Sequence, residues 1–170
     1  MVGLSSAATR LPQEVYVWQR TWTEPVRRAV GEHSEGFARI VVLSAEVAWH
    51  DGKPQVVRVP VDYQVLAQTK RPIGLALRVG PYSGSFAITN PAVTYLADLA
   101  QRLVVEATAA GVSPSELQLD FDCASLRLDG YRIWVEVIRQ RIAPVPLVIT
   151  ALPVWMDEAA FRTLVAAASG

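Results

Sequence analysis

Acidic side chains occupy one face of a run that is otherwise built for burial. In "LQLDFDC" (117–123), strand alternation places Gln118, Asp120 and Asp122 on one face and three apolar residues on the other. Such a polar row is costly in a core unless a ligand uses it or other charges pair with it. Glu46 has a similar position near the end of an earlier apolar run.

These carboxyls fit the chemistry of glycoside hydrolysis, which needs a protonated carboxyl and a carboxylate flanking the scissile bond. In this interpretation Asp122 donates the proton and Glu46 activates water, while Asp120 stays ionised and orients these catalytic residues. Because Glu46 lies two strands from Asp122, the spacing favours an inverting reaction. The alternative is an ion-pair network that satisfies these charges and performs no chemistry.

Arg78 and Gln118 are the predicted polar contacts to a substrate. Arg78 lies on the run between the two that carry the acids, where its guanidinium favours the ionised form of a neighbouring carboxyl. If Arg78 is buried among these acids, its removal should cost about 3–5 kcal/mol of stability.

Four aromatic residues fall at or just past the ends of predicted strands: Trp18, Trp49, Tyr82 and Trp155. Sugar rings stack on such side chains through their apolar faces. The sequence therefore predicts that these residues bind substrate. The alternative is that they pack in the core, as most aromatic side chains of a small domain do.

Five runs with strand character are each followed by a stretch with helix signals. The strand runs cover 14–20, 38–49, 73–80, 117–123 and 146–153. The clearest helix follows the third run, where Asn90 is the N-cap, Pro91 is the first helical residue and Gly111 ends the helix.

This alternation predicts an α/β domain with a parallel sheet. Five βα units form either a partial TIM-barrel-like sheet or a doubly wound, flavodoxin-like sheet. One apolar and one small or polar face per strand favours the barrel, because a doubly wound sheet is covered on both faces. We expect an N-terminal extension over 1–13, and a single domain over 14–170 that belongs to a longer barrel and self-associates through its open edges.

The composition limits the classes of partner. Of the 170 residues, 51% are hydrophobic and 19% are charged, with a formal net charge of zero, which indicates a globular domain and argues against nucleic-acid binding. No apolar run has membrane-spanning length, and no signal sequence begins the chain. The chain as written is expected in the cytoplasm, or in the periplasm or outside the cell if a signal sequence preceded it. A single cysteine, Cys123, and two histidines lack ligand spacing, so no metal or cofactor is expected.

Four blocks carry a resemblance to a known family: "VYVWQR" (15–20), "LSAEVAW" (43–49), "LQLDFDC" (117–123) and "ITALPVW" (149–155). In this order they resemble the bacterial family known as domain of unknown function 3142. The resemblance spans nearly all of the chain and implies a glycoside-hydrolase-like barrel with a carbohydrate ligand. It implies no particular reaction, and members of the family tend to be longer than this chain.

A looser resemblance links "LQLDFDCA" to the fourth strand of chitinase-like hydrolases, whose pattern alternates two acids and a glutamate with spacers. Asp120 and Asp122 match the two acids, while Ala124 stands where the glutamate would be. That glutamate is the proton donor of those enzymes, so the resemblance implies that other residues must perform any glycosidase chemistry here. Loss of the donor also leaves a non-catalytic sugar-binding or scaffolding domain as an alternative.

Overall fold

A computed structural model describes residues 11–168. Its strands are β1 (Glu14–Val17), β2 (Arg39–His50), β3 (Lys53–Arg58), β4 (Ile73–Val79), β5 (Pro114–Phe121) and β6 (Leu147–Ile149). Its helices are α1 (Glu24–His33), α2 (Tyr63–Thr69), α3 (Pro91–Ala109), α4 (Leu128–Ile142) and α5 (Ala159–Ala167). The extension predicted over 1–13 lies outside the described residues except for 11–13.

The sheet is wound in one direction. Strands β1, β2, β4, β5 and β6 are parallel neighbours in the order in which they occur along the chain. A doubly wound sheet reverses its strand order at a switch point, whereas a TIM barrel adds each strand beside the last. The partial barrel is therefore confirmed. The sheet is not closed, since β1 and β6 each pair on one side only within residues 11–168.

Strand β3 was not predicted. It pairs with β2 in an antiparallel hairpin whose two-residue turn is Asp51–Gly52. Both turn residues have positive φ, 49° and 73°, as a type I′ turn requires. Asp-Gly between two β-rich stretches is a hairpin signal, so the sequence carried the information.

The helices pack on one face of the sheet and form the core with it. Leu75 and Leu77 of β4 and Leu117 and Leu119 of β5 are fully buried on that face. Helices α3 and α4 pack against each other, and Leu96, Leu99 and Leu103 of α3 are buried. Asn90 caps α3 by accepting from the Ala92 amide at 2.9 Å, as the sequence predicts.

Candidate functional site

The opposite face of the sheet, here called the open face, carries the predicted acids. Glu46 of β2, Arg78 of β4 and Asp120 of β5 lie in register on three adjacent strands. We call these three residues the acid–arginine row. The row lies near the carboxyl ends of the strands, on the face opposite to the core leucines of β4 and β5.

A β-bulge in β2 aims Glu46 at the open face. Leu43 pairs with Ala76 and Ala45 pairs with Leu77, so Ser44 is an extra residue against β4. Without that insertion, alternation from the buried Val42 would turn Glu46 toward the helices. The sequence pattern placed Glu46 among the polar residues, but the bulge is what brings it beside Arg78.

Arg78 lies between the two acids. Its Nη1 is 3.8 Å from Glu46 Oε1, and its Nε is 3.8 Å from Asp120 Oδ2. Both distances exceed those of a direct hydrogen bond. The Arg78 side chain is 54% exposed, so the burial on which the predicted stability cost depends is not met. If Arg78 is removed, Glu46 keeps its bond from Arg20 and Asp120 keeps its bond from Thr150, so the cost of about 3–5 kcal/mol that applies to buried pairs does not apply.

Two residues that the sequence analysis missed complete the row. The Arg20 guanidinium donates to Glu46, and this bond raises the pKa of Arg20. The Thr150 hydroxyl donates to Asp120 Oδ1 at 2.8 Å. Thr150 directly follows β6, so four parallel strands contribute to the site. The period-2 pattern on β5 gave no signal for either residue, because both contacts join distant parts of the chain.

Asp122 and Gln118 lie apart from the row. Asp122 follows the end of β5 and is exposed, with no ion pair to any residue within 11–168. Gln118 is buried, and its amide donates to Glu116 Oε1 at 2.6 Å.

Glu116 belongs to a second group on the open face, the lower network of Glu14, Arg39, Glu116 and Gln118 near the amino ends of the strands. Arg39 donates to Glu116 and lies 3.2 Å from Glu14 Oε1. Gly74 faces Glu116 in register, and a Cβ there would lie 3.2 Å from Glu116 Cγ. Glycine therefore leaves the space that the buried glutamate fills. Glu116 continues the alternation of Gln118 and Asp120, which is the signal that could have identified it.

Two aromatic rings lie at the β1 side of the open face. Tyr16 is in register with Val41 on that face, and Trp18 follows it two residues later. Their rings stack at 5.8 Å between centroids with an interplanar angle of 7°. Tyr16 is 42% and Trp18 39% exposed, so the pair offers ring surface to solvent.

The structure places the other predicted aromatic residues elsewhere. Trp155 is fully buried, and its Nε1 donates to the Cys123 carbonyl at 3.0 Å, so no ring face is available to a ligand. Cys123 is also buried, and burial raises the pKa of its thiol to about 11. Trp49 and Tyr82 line a separate cavity across the β2–β3 hairpin from Glu46.

Within the described part of the chain, no three His, Cys, Asp or Glu side chains come together as metal ligands do. The helices there are too short or too polar to cross a bilayer.

Fold and site define this chain as an α/β domain with a partial, open TIM-barrel sheet that carries acids and an arginine at its strand ends. The chain belongs to the family described as "Domain of unknown function (DUF3142)", whose model matches residues 69–169, which include β4 to α5. No match was found among the curated proteins.

Solved structures of similar fold include two lytic enzymes. The catalytic domain of endolysin ply40, from bacteriophage P40 of Listeria monocytogenes, gives a TM-score of 0.57 at 11% identity, over 84% of this chain and 64% of that one. The Bacillus cereus spore cortex-lytic enzyme SleL gives 0.58 at 17% identity, over 84% of this chain and 35% of that one.

A third similar structure has a different chemistry. The carboxyl transferase domain of Rhizobium etli pyruvate carboxylase gives a TM-score of 0.60 at 13% identity, over 92% of this chain and 26% of that one. One fold therefore serves unrelated reactions, and these similarities establish the fold alone. The chain spans between 26% and 64% of the length of these three structures.

Proposed function

We propose that this domain binds a carbohydrate along its open face. The observation that carries the proposal is the acid–arginine row, in which a half-exposed Arg78 stands 3.8 Å from each of two carboxylates. At that distance, sugar hydroxyls can donate to the acids and accept from the guanidinium without breaking an existing hydrogen bond.

The exposed Tyr16–Trp18 stack supplies the apolar half of such a site. A sugar ring has an apolar face that packs on an aromatic ring, while its hydroxyls project sideways to polar partners. The proposed contact residues are therefore Glu46, Arg78, Asp120, Tyr16 and Trp18. Gln118 and Trp155 are buried and support the surrounding structure in this proposal.

Glycoside hydrolysis is the second candidate, and the placement of Asp122 favours it. Glu46 and Asp120 both face an arginine side chain, whereas Asp122 forms no ion pair within residues 11–168. Asp122 is exposed at the carboxyl end of β5, where TIM-barrel enzymes carry their catalytic groups. In this proposal Asp122 donates the proton and Glu46 activates the water.

Titration of a polysaccharide panel, together with a reducing-end assay, tests both functions. The variants are Trp18→Ala, Asp122→Asn and Glu46→Gln, with Glu32→Gln on the exposed side of α1 as the matched control. Turnover that is lost in both acid variants, with unchanged melting curves, supports hydrolysis. If the wild type binds a polysaccharide without turnover, and the affinity falls in Trp18→Ala but not in Glu32→Gln, the binding function alone is supported. No binding to any member of the panel rejects both.

We further propose that the open sheet edges pair with a second copy of this chain. Strands β1 and β6 carry unpaired backbone groups along their outer sides within the described residues, and such edges favour strand pairing. Light scattering over a range of concentrations tests this. A mass that stays monomeric up to high micromolar concentration would reject it.

A further inference from the structure

The β2–β3 hairpin separates two cavities. Ala48 and Gln55 line a cavity of about 350 Å³ on the side of the acid–arginine row. Trp49 and Pro54, the next pair along the hairpin, line a cavity of about 700 Å³ on the other side. Neighbouring side chains on a strand point to opposite faces, so the larger cavity is distinct from the row. We call it the aromatic cleft.

Three aromatic side chains line the aromatic cleft: Trp49, Tyr82 and Tyr95. Trp49 meets Tyr82 edge to face at 4.8 Å between centroids. The buried Trp134 packs behind both, at 6.0 Å from Trp49 and 4.8 Å from Tyr82. These contacts fix two of the rings before any ligand arrives, which lowers the entropic cost of binding.

The loop between β4 and α3 forms one wall of the cleft, and Arg127 holds it in place. The Arg127 guanidinium donates to the Tyr82 carbonyl at 2.6 Å and also to the Gly84 carbonyl. The same group lies 4.5 Å over the ring of Phe86. The Tyr82 hydroxyl donates to the Ser85 carbonyl at 3.0 Å, so the ring is tied to its own loop.

Charge and hydrogen bonding in the cleft favour a neutral ligand over an anionic one. Among residues 11–168, Asp51 is the one charged residue in its lining. The amino end of α3 also lines the cleft, but its first amides are already used, because Ala92 donates to the Asn90 side chain and Val93 to the Asn90 carbonyl. Pro91 has no amide hydrogen. A neutral ligand that has apolar ring faces to stack and hydroxyls to donate to Asp51 fits this lining.

We propose that the aromatic cleft is a second carbohydrate subsite, which takes neutral sugar residues of the glycan bound on the open face. The inference rests on the proposed function, and it extends the site across the β2–β3 hairpin. The volume of about 700 Å³ lies within the range of small-molecule pockets. A glycan long enough to cross the hairpin touches both sites, whereas a short one occupies one of them.

The test is calorimetric titration of the whole chain with short and long neutral oligosaccharides of glucose and of N-acetylglucosamine. Tyr95→Ala removes a ring from the cleft, Tyr95→Phe keeps it, and Trp18→Ala changes the open face alone. Asp51→Asn is a second cleft variant, which keeps the test valid if Tyr95→Ala does not fold. Asp51 lies in an exposed turn with a positive φ of 49°, and asparagine tolerates this conformation. Melting curves check each variant.

We expect Tyr95→Ala to weaken the binding of long oligosaccharides about tenfold and Tyr95→Phe to retain most of the affinity. Asp51→Asn should weaken it several-fold. Affinity that falls in Trp18→Ala but is unchanged in Tyr95→Ala and Asp51→Asn overturns the subsite and leaves the proposed function standing. The absence of any oligosaccharide binding overturns both. Choline that binds the cleft in place of sugar also overturns the subsite, because it identifies a cation cage.

Discussion

The acid–arginine row and the lower network stand on the same face of the sheet, yet they differ in how closely their charges pair and how deeply they are buried. In the lower network the Glu116 side chain is 5% exposed and bonds to both Arg39 and Gln118. In the row, Arg78 is half exposed and meets each acid at 3.8 Å. Similar residue types thus form a closed structural cluster at one end of the sheet and an open one at the other. We infer that only the open cluster is available to a ligand.

The largest effect is expected in the lower network. Glu116→Ala removes a buried carboxylate, leaves the buried Gln118 without its partner and leaves Arg39 with Glu14 alone, which should cost about 3 kcal/mol of unfolding free energy. Urea denaturation measures it. The matched control is Glu14→Ala, which removes the exposed partner of the same arginine and should cost about 0.5 kcal/mol. Equal costs for the two variants would contradict the distinction between the networks.

In the row, Arg78→Met should have a small effect on stability and a larger effect on the proposed carbohydrate binding. Its effect on stability should stay below about 1 kcal/mol because Arg78 is half exposed and lies 3.8 Å from each acid. Loss of a charged hydrogen-bond donor should weaken the proposed carbohydrate binding about tenfold. Denaturation and calorimetric titration measure the two quantities. Arg58→Met, which removes a surface pair with Glu106 outside the row, should leave binding unchanged. A destabilisation as large as that of Glu116→Ala would show that the row is structural.

A smaller effect on stability is expected at Asp62, which lies outside both clusters and whose contribution depends on pH. It caps α2 by accepting from the Val65 amide at 3.1 Å, and with Arg27 this bond holds the pKa of its carboxyl below the usual value. A lowered folded-state pKa gives stability that is present above the unfolded pKa, near 4, and is lost as the pH falls through the folded pKa. Asp62→Ala should therefore cost about 1 kcal/mol at neutral pH and less in acid.

Denaturation of wild type and Asp62→Ala across the acid range checks this expectation. Asp62→Asn keeps an N-cap acceptor and serves as the control, with a smaller loss that depends less on pH. A difference in unfolding free energy between wild type and Asp62→Ala that increases below pH 4 would contradict the expected pH dependence.

Much of the fold was predictable because its signals are local. Alternating apolar residues identified β5 and the polar row at its end, and Asn90 with Pro91 identified the start of α3. The signal of the hairpin turn at Asp51–Gly52 is equally local, but β3 interrupts the βα alternation that the other elements follow. The candidate site was predictable only in part, since the partners Arg20 and Thr150 lie on other elements.

The α/β class, the places of most elements and the residues that carry charge at the strand ends follow from the sequence, because side-chain alternation and helix capping depend on near neighbours. Three features are visible in the folded chain alone: the strands add in one direction, the bulge at Ser44 turns Glu46 toward Arg78, and the hairpin separates Trp49 from the row. The tertiary structure also leaves Arg78 half exposed and Trp155 fully buried. These properties depend on register and packing between distant segments, which no local pattern specifies.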